Sequence, residues 1–203
     1  MGLHKFVIPA PMGVLHGVAH IPETEPRALA IVAHPLPTMG GTMENKIVTT
    51  LAKTFAELGF VALRFDFRGV GDSSGSYDEG NGEVDDALTV VRYAQQEFGD
   101  LPLILAGFSF GGYVQARVAQ QLHAQQLVLI APAVGRFAMP PVQQHTLLVH
   151  GELDEVVPLA DVLDWARPQQ LPIVLLPETG HYFHGRLHQI KAIVRQHFTG
   201  HAL

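Results

Sequence analysis

The sequence predicts an α/β protein: a mostly parallel β-sheet, opened by an antiparallel hairpin, with helices on both faces. Three observations carry this prediction. Six short, near-continuous apolar runs recur at residues 28–33, 60–65, 101–106, 127–131, 146–150 and 173–176, the pattern of strands buried on both faces. Between them lie segments whose apolar residues repeat at helical spacing. Ahead of them, residues 7–21 alternate loosely around a turn-rich break, and strands alternating with helices are the mark of a layered α/β domain.

Each element has its own signal. Pro9-Ala10-Pro11-Met12-Gly13 separates two extended pieces and predicts the hairpin. Ile47, Val48, Leu51, Phe55 and Leu58 share one helical face that ends at Gly59, and Val84, Ala87, Leu88, Val91 and Phe98 do the same up to Gly99. Both glycines suit left-handed C-terminal caps. Tyr113, Val114, Ala116, Val118, Ala119 and Leu122 are compatible with a helix packed on the sheet. Residues 157–166 form a shorter helical candidate, and Leu187, Ile190, Ile193, Val194 and Phe198 make a closing stripe. With no repeat, low-complexity tract or linker-like charge run, residues 1–203 are expected to form a single domain.

Composition narrows the function. The chain is 47% hydrophobic, and 13 Lys plus Arg stand against 19 Asp plus Glu, a formal charge of -6. No basic block is present to follow a phosphate backbone, so nucleic acid is not an expected partner. No apolar run approaches the roughly 20 residues that span a bilayer, and the N-terminal segment lacks a basic stretch followed by a long apolar one; a cytoplasmic protein that does not insert into membrane is expected. The absence of cysteine removes disulfides, thiolate metal sites and a cysteine nucleophile together.

The pattern GxSxG, which marks a nucleophilic serine on a sharp strand-to-helix turn, occurs twice: Gly71-Asp72-Ser73-Ser74-Gly75 and Gly107-Phe108-Ser109-Phe110-Gly111. Ser73 sits in a glycine-rich polar stretch with no helical pattern after it, which reads as a loop. Ser109 directly follows a buried-strand run and precedes a helical pattern. Gly107 and Gly111 have a steric reason to be there, because the abrupt turn brings backbones together and leaves no room for a Cβ. The competing reading is an ordinary turn that contains a serine by chance.

A serine hydroxyl needs a base to take its proton, and the base needs an orienting group. Both follow in order. Asp154 lies in a loop just past the 146–150 run, and Gly180-His181 follows the last run in the same way, at the carboxyl ends of parallel strands where open α/β sheets build sites. Glu152 and Glu155 flank the acid and read as solvated loop carboxylates. His184 rivals His181, which is preferred because it comes first after the strand and Gly180. His184 and His188 share helical spacing, and His197 and His201 follow, but Gly185-Arg186-Leu187 replaces the glutamate of a zinc HExxH pattern, so surface histidines and no metal are expected. Gly40-Gly41 and Gly69-Val70-Gly71 form no phosphate-loop pattern, and Arg68 reads as the pin of a tight turn.

These residues resemble the α/β-hydrolase superfamily, and the resemblance covers nearly the whole chain. Beyond the elbow at Ser109, the blocks His34-Pro35-Leu36-Pro37-Thr38-Met39-Gly40-Gly41-Thr42-Met43 and Phe67-Arg68-Gly69-Val70-Gly71-Asp72-Ser73 are similar to small, capless serine hydrolases and esterases of bacterial type. The resemblance implies an eight-stranded sheet, a triad of Ser109, Asp154 and His181, and an oxyanion hole from backbone amides, here those of Phe110 and Leu36. This chain has His34-Pro35 where many relatives have His-Gly, a departure that bears on Leu36 and not on Phe110.

Only residues 133–145, with Pro140 and Pro141 among them, separate two strands where many α/β-hydrolases insert a helical lid. An open site covered by loops is expected. Met39, Phe110, Phe137, Met139 and Tyr182 are candidates for an apolar acyl pocket, and each is equally compatible with ordinary packing. The expected reaction is hydrolysis of a small carboxylic ester or thioester substrate through an acyl-enzyme, without a cofactor. Amide or peptide hydrolysis and acyl transfer use the same groups, and a non-catalytic scaffold that binds a ligand or partner is the alternative of another class.

Overall fold

The computed structural model describes residues 2–200, and one eight-stranded sheet gathers its strands. In chain order these are β1 (Gly2–Ala10), β2 (Gly13–Ile21), β3 (Ala28–Ala33), β4 (Phe60–Phe65), β5 (Leu103–Phe108), β6 (Gln126–Ile130), β7 (Leu147–Gly151) and β8 (Val174–Leu176). In space they run β1-β2-β4-β3-β5-β6-β7-β8. β1 and β2 form the expected antiparallel hairpin, with Ala10 opposite Gly13 and only Pro11 and Met12 in the turn. β2 is antiparallel to β4, and every remaining pairing is parallel.

Two boundaries differ from the sequence reading for local reasons. β1 reaches back to Gly2, where exposed His4 and Lys5 conceal the alternation. β5 starts at Leu103 because Pro102 has no N–H for the ladder; its carbonyl instead accepts the Leu29 N–H.

Five helices cover the sheet: α1 (Lys46–Glu57), α2 (Asn81–Phe98), α3 (Phe110–Val118), α4 (Leu159–Ala166) and α5 (Leu187–Thr199). Pro158 caps α4 and moves its start past the expected residue 157. Gly59 has the positive φ expected after α1, +85°. Gly99 has φ +94° but ψ 170°, so it leaves α2 in an extended turn and not in the left-handed helical cap the sequence suggests.

Alternate strand residues serve opposite faces. Leu29, Ile31 and Ala33 of β3 pack with Val84, Ala87 and Val91 of α2, whereas Ala28, Ala30 and Val32 pack with Phe55 of α1 and Val194 of α5. Both sets are fully buried, which is why the strand reads as an unbroken apolar run. On the α1 and α5 side, Phe55, Phe60 and Phe198 meet with ring centroids 5.5 to 6.1 Å apart. Removing one such buried ring costs about 3–5 kcal/mol.

No lid interrupts the sheet. Between β6 and β7 the chain makes a loop with two tight turns, one closed by a bridge between Val134 and Phe137 and one by the Thr146 N–H on the Gln143 carbonyl. Among the described residues, no helix is long and apolar enough to cross a membrane.

Candidate active site

β5 ends at Phe108 and α3 begins at Phe110, so Ser109 alone makes the turn, with φ 53° and ψ -116°. A non-glycine residue pays about 1–3 kcal/mol for such a conformation and holds it only where its surroundings insist. Here they do: the Ser109 N–H donates to the Ile130 carbonyl, and the Ser109 carbonyl accepts from the Gly112, Tyr113 and Ala133 amides. The glycines are needed for approach. A Cβ on Gly107 would stand 2.3 Å from the Gly111 carbonyl, and one on Gly111 would stand 2.3 Å from the Ala33 oxygen.

The loops after β7 and β8 are locked together. The Leu153 N–H donates to the Thr179 carbonyl, and a Cβ on Gly151 would lie 2.3 Å from that same oxygen. This contact aligns Asp154, His181 and Ser109. His181 Nδ1 lies 2.8 Å from Asp154 Oδ2, and His181 Nε2 lies 3.1 Å from Ser109 Oγ. The carboxylate fixes the tautomer: Nδ1 carries the proton and Nε2 is left to accept from the serine hydroxyl. Burial pushes the Asp154 carboxyl up, but the His181 hydrogen bond and the Val157 and Val156 amides on Asp154 outweigh it and hold the group below the usual carboxylate range.

The flanking glutamates do more than the sequence reading allowed. Both are exposed, yet Glu155 Oε2 accepts the His181 N–H and Glu152 Oε2 accepts the Glu178 N–H, so each stitches the β7 loop to the β8 loop. His150, unremarked in the sequence, donates from Nε2 to the Val157 carbonyl and stands 3.6 Å from Asp154 Oδ2, bracing the acid loop from beneath. Burial holds its imidazole below the usual range despite the nearby carboxylate.

His184 is exposed beside the Tyr182 ring, away from Ser109, and His188 is exposed as well. No group of three potential metal ligands occurs among the described residues, and His201 lies outside them.

A cleft of about 120 Å³ opens at Ser109 and His181, lined by Pro35, Leu36, Met39, Gly40, Gly41, Asn45, Arg136, Val156 and Tyr182. Of the expected pocket residues, Met39 and Tyr182 are in its wall. Phe137 and Met139 are not: both are half-buried and pack on the core, with the Phe137 ring stacked 4.8 Å from Tyr113. The Phe110 ring is fully buried, so only its backbone serves the turn. Neither the Phe110 nor the Leu36 amide has an acceptor among the described residues, while the Leu36 carbonyl is turned away to accept from Met39 and Gly41. His34 anchors this loop, donating from Nδ1 to the Pro35 carbonyl and accepting the Phe67 N–H at Nε2. Burial lowers its pKa to about 4, so it is neutral near pH 7.

The other GxSxG serine is a structural peg. Ser73 Oγ donates to the Asp66 carbonyl and accepts the His16 N–H. Arg68 pins the same glycine-rich segment through a two-pronged bond to Asp86, with its backbone N–H on the same carboxylate.

Comparison with known proteins agrees with this architecture. Residues 24–170 match the family described as serine aminopeptidase, S33. A solved α/β serine hydrolase without lid from Xanthomonas campestris is 38% identical, with a TM-score of 0.92 over 97% of this chain and 94% of that one. An α/β serine hydrolase homologue from Coxiella burnetii is also 38% identical, with a TM-score of 0.86 over 95% and 96% of the two chains. An uncharacterized protein of Rickettsia prowazekii is 37% identical over 136 residues, 65% of this chain. The lysophosphatidylserine lipase ABHD12 of Danio rerio is 38% identical over 82 residues, 40% of this chain. This chain spans 53% of the Rickettsia protein's length and 21% of the lipase's.

Proposed function

The chain belongs to the serine aminopeptidase S33 family of α/β serine hydrolases, and from that premise we propose that it hydrolyses small carboxylic esters through an acyl-enzyme. The observation that carries this reading is the hydrogen-bonded line from Asp154 through His181 to a serine held on a strained turn. Ser109 attacks the ester carbonyl while His181 takes its proton at Nε2, and Asp154 steadies the imidazolium. The Phe110 and Leu36 amides, without an acceptor among the described residues, receive the charge that develops on the carbonyl oxygen; losing one such donor costs roughly a hundredfold to a thousandfold in rate. The alcohol leaves with the proton from His181, and water repeats the sequence to release the acid.

The cleft at Ser109, about 120 Å³, is well below the roughly 300–1,000 Å³ of sites for drug-sized ligands, which supports a short group lodged against the serine, with a groove of about 430 Å³ adjoining it through Gly40, Asn45 and Tyr182. Its charge supports an ester over the substrate in the family's description. An aminopeptidase has to hold a substrate ammonium, yet the cleft wall contains no carboxylate and one guanidinium, Arg136. A panel of 4-nitrophenyl esters and thioesters from acetyl to decanoyl tests the reading. Turnover of the short esters, lost in Ser109→Ala, is expected. A wild-type protein inert towards the whole panel puts the non-catalytic scaffold ahead.

A further inference from the structure

Arg136 is the residue the proposed reaction does not use. It lines the same cleft as Ser109 and His181, and no Asp or Glu shares that wall. Although the chain has more acidic than basic residues, no carboxylate lies within ion-pair distance of Arg136 among the described residues. Arg64, Arg68, Arg167 and Arg195 do have carboxylate partners, in Glu44, Asp86, Asp164 and Glu57, while Arg27, Arg92, Arg117 and Arg186 share with Arg136 the lack of one among the described residues; what sets Arg136 apart from these is its place in the wall beside Ser109.

The turn that presents Arg136 is fixed on both sides. Gly135 takes φ +79°, and a Cβ there would stand 2.7 Å from Asp161 Oδ2, so the turn lies tight against α4 with that carboxylate behind it and outside the cleft. On the other side Phe137 is anchored in the aromatic cluster, 5.2 Å from Phe110 and 4.8 Å from Tyr113 by ring centroids, and its N–H donates to the Ala133 carbonyl. The core position of Phe137 therefore has a consequence at the site: it holds Arg136 in the cleft wall with no carboxylate paired to it among the described residues, its charge also felt at the Tyr77 hydroxyl. A guanidinium is always charged and offers a planar fork that fits a carboxylate or phosphate two-pronged.

We propose that Arg136 selects substrates bearing an anionic group, a carboxylate or a phosphate, beside the scissile ester. This rests on the hydrolase reading above and names its substrate class. Arg136 is a specificity residue and takes no part in the bond-breaking steps. Because it is exposed, water and salt screen it, and the preference it confers is about fivefold to tenfold.

The test compares kcat/KM for two matched pairs: monoethyl glutarate against ethyl pentanoate, with the charge on the acyl side, and acetylated glycerol phosphate against acetylated glycerol, with the charge on the alcohol side. In wild type at least one anionic member is favoured. Arg136→Gln abolishes that ratio, Arg136→Glu inverts it, Arg136→Lys keeps part of it, and 0.5 M salt compresses it. Ratios for both pairs that are the same in wild type, Arg136→Gln and Arg136→Glu overturn the proposal. A readout without turnover separates this from failure of the hydrolase reading. Calorimetric titration of Ser109→Ala with glutarate and with glycerol phosphate is expected to show binding that weakens about fivefold to tenfold when Arg136→Gln is added. Equal affinities in the two backgrounds contradict the proposal whether or not the wild type turns over an ester.

Discussion

Ser73 and Ser109 occupy the same five-residue pattern and are buried to nearly the same degree, 6% and 8% exposed. What separates them is what the hydroxyl faces and why the glycines are there. Around Ser73 the glycines supply positive φ, +55° at Gly71 and +89° at Gly75, and the hydroxyl is spent on two backbone groups, the His16 amide of β2 and the Asp66 carbonyl just past β4. Around Ser109 the strained φ belongs to the serine itself, and Gly107 and Gly111 are there so that backbones can meet. The hydroxyl remains available to an imidazole. Burial and motif are therefore poor guides to a nucleophile; the partner of the hydroxyl decides.

The largest test of this contrast is paired mutation. Ser109→Ala is expected to lower ester hydrolysis by about 10⁴-fold or more with little loss of stability, as for other members of such hydrogen-bonded triads. Next comes the base: His181→Ala is expected to cost about 10³-fold to 10⁴-fold in kcat, and His184→Ala no more than about twofold. A dead His184→Ala beside an active His181→Ala reverses the assignment. Gly107→Ala, which sets a Cβ against the Gly111 backbone, is expected to lose more than about 3 kcal/mol in denaturant unfolding. A wild-type midpoint would mean that the elbow has room to spare.

Acid reaches the Leu36 loop through His34. Its folded pKa of about 4 lies below the ordinary 6.5, so as pH falls from 6.5 towards 4 the unfolded chain gains a proton that the native one refuses. Stability falls across that window, by roughly 3–4 kcal/mol at about 1.4 kcal/mol per unit, and levels off below it. His20, also lowered to about 4 by burial and by Arg64, adds in the same direction. A flat stability between pH 6.5 and 4 contradicts a neutral buried His34. Smallest is Ser73→Ala, expected to retain activity within about twofold while losing about 1–3 kcal/mol of stability, because the His16 amide and Asp66 carbonyl lose their partner.

Much of this site is written in local order. Ser109 and Asp154 each follow a buried apolar run; the run before His181 is apolar too, but as the edge strand β8 it leaves Val174 and Leu175 exposed, and not buried on both faces as its pattern suggests. Parallel strands bring the three carboxyl ends to one edge, so chain position alone gathers them. Other features depend on packing that one-dimensional pattern does not carry. Phe137 and Met139 read as pocket residues because an apolar side chain in a loop looks the same whether it faces a cleft or the core; only the ring of Tyr113 decides. Glu155 is exposed as expected, yet its bond to the His181 amide spans 26 residues. Arg136 left one faint trace, a Gly-Arg pair just past a strand's carboxyl end, and its significance depends on the carboxylates that are absent from the surrounding wall.

The assignment of Ser109 as the nucleophile is tested by labelling the wild-type protein with a fluorophosphonate and locating the adduct by peptide mass spectrometry. A single adduct on Ser109 is expected, absent when His181 is replaced by alanine. An adduct on Ser73, or no adduct at all, contradicts that assignment.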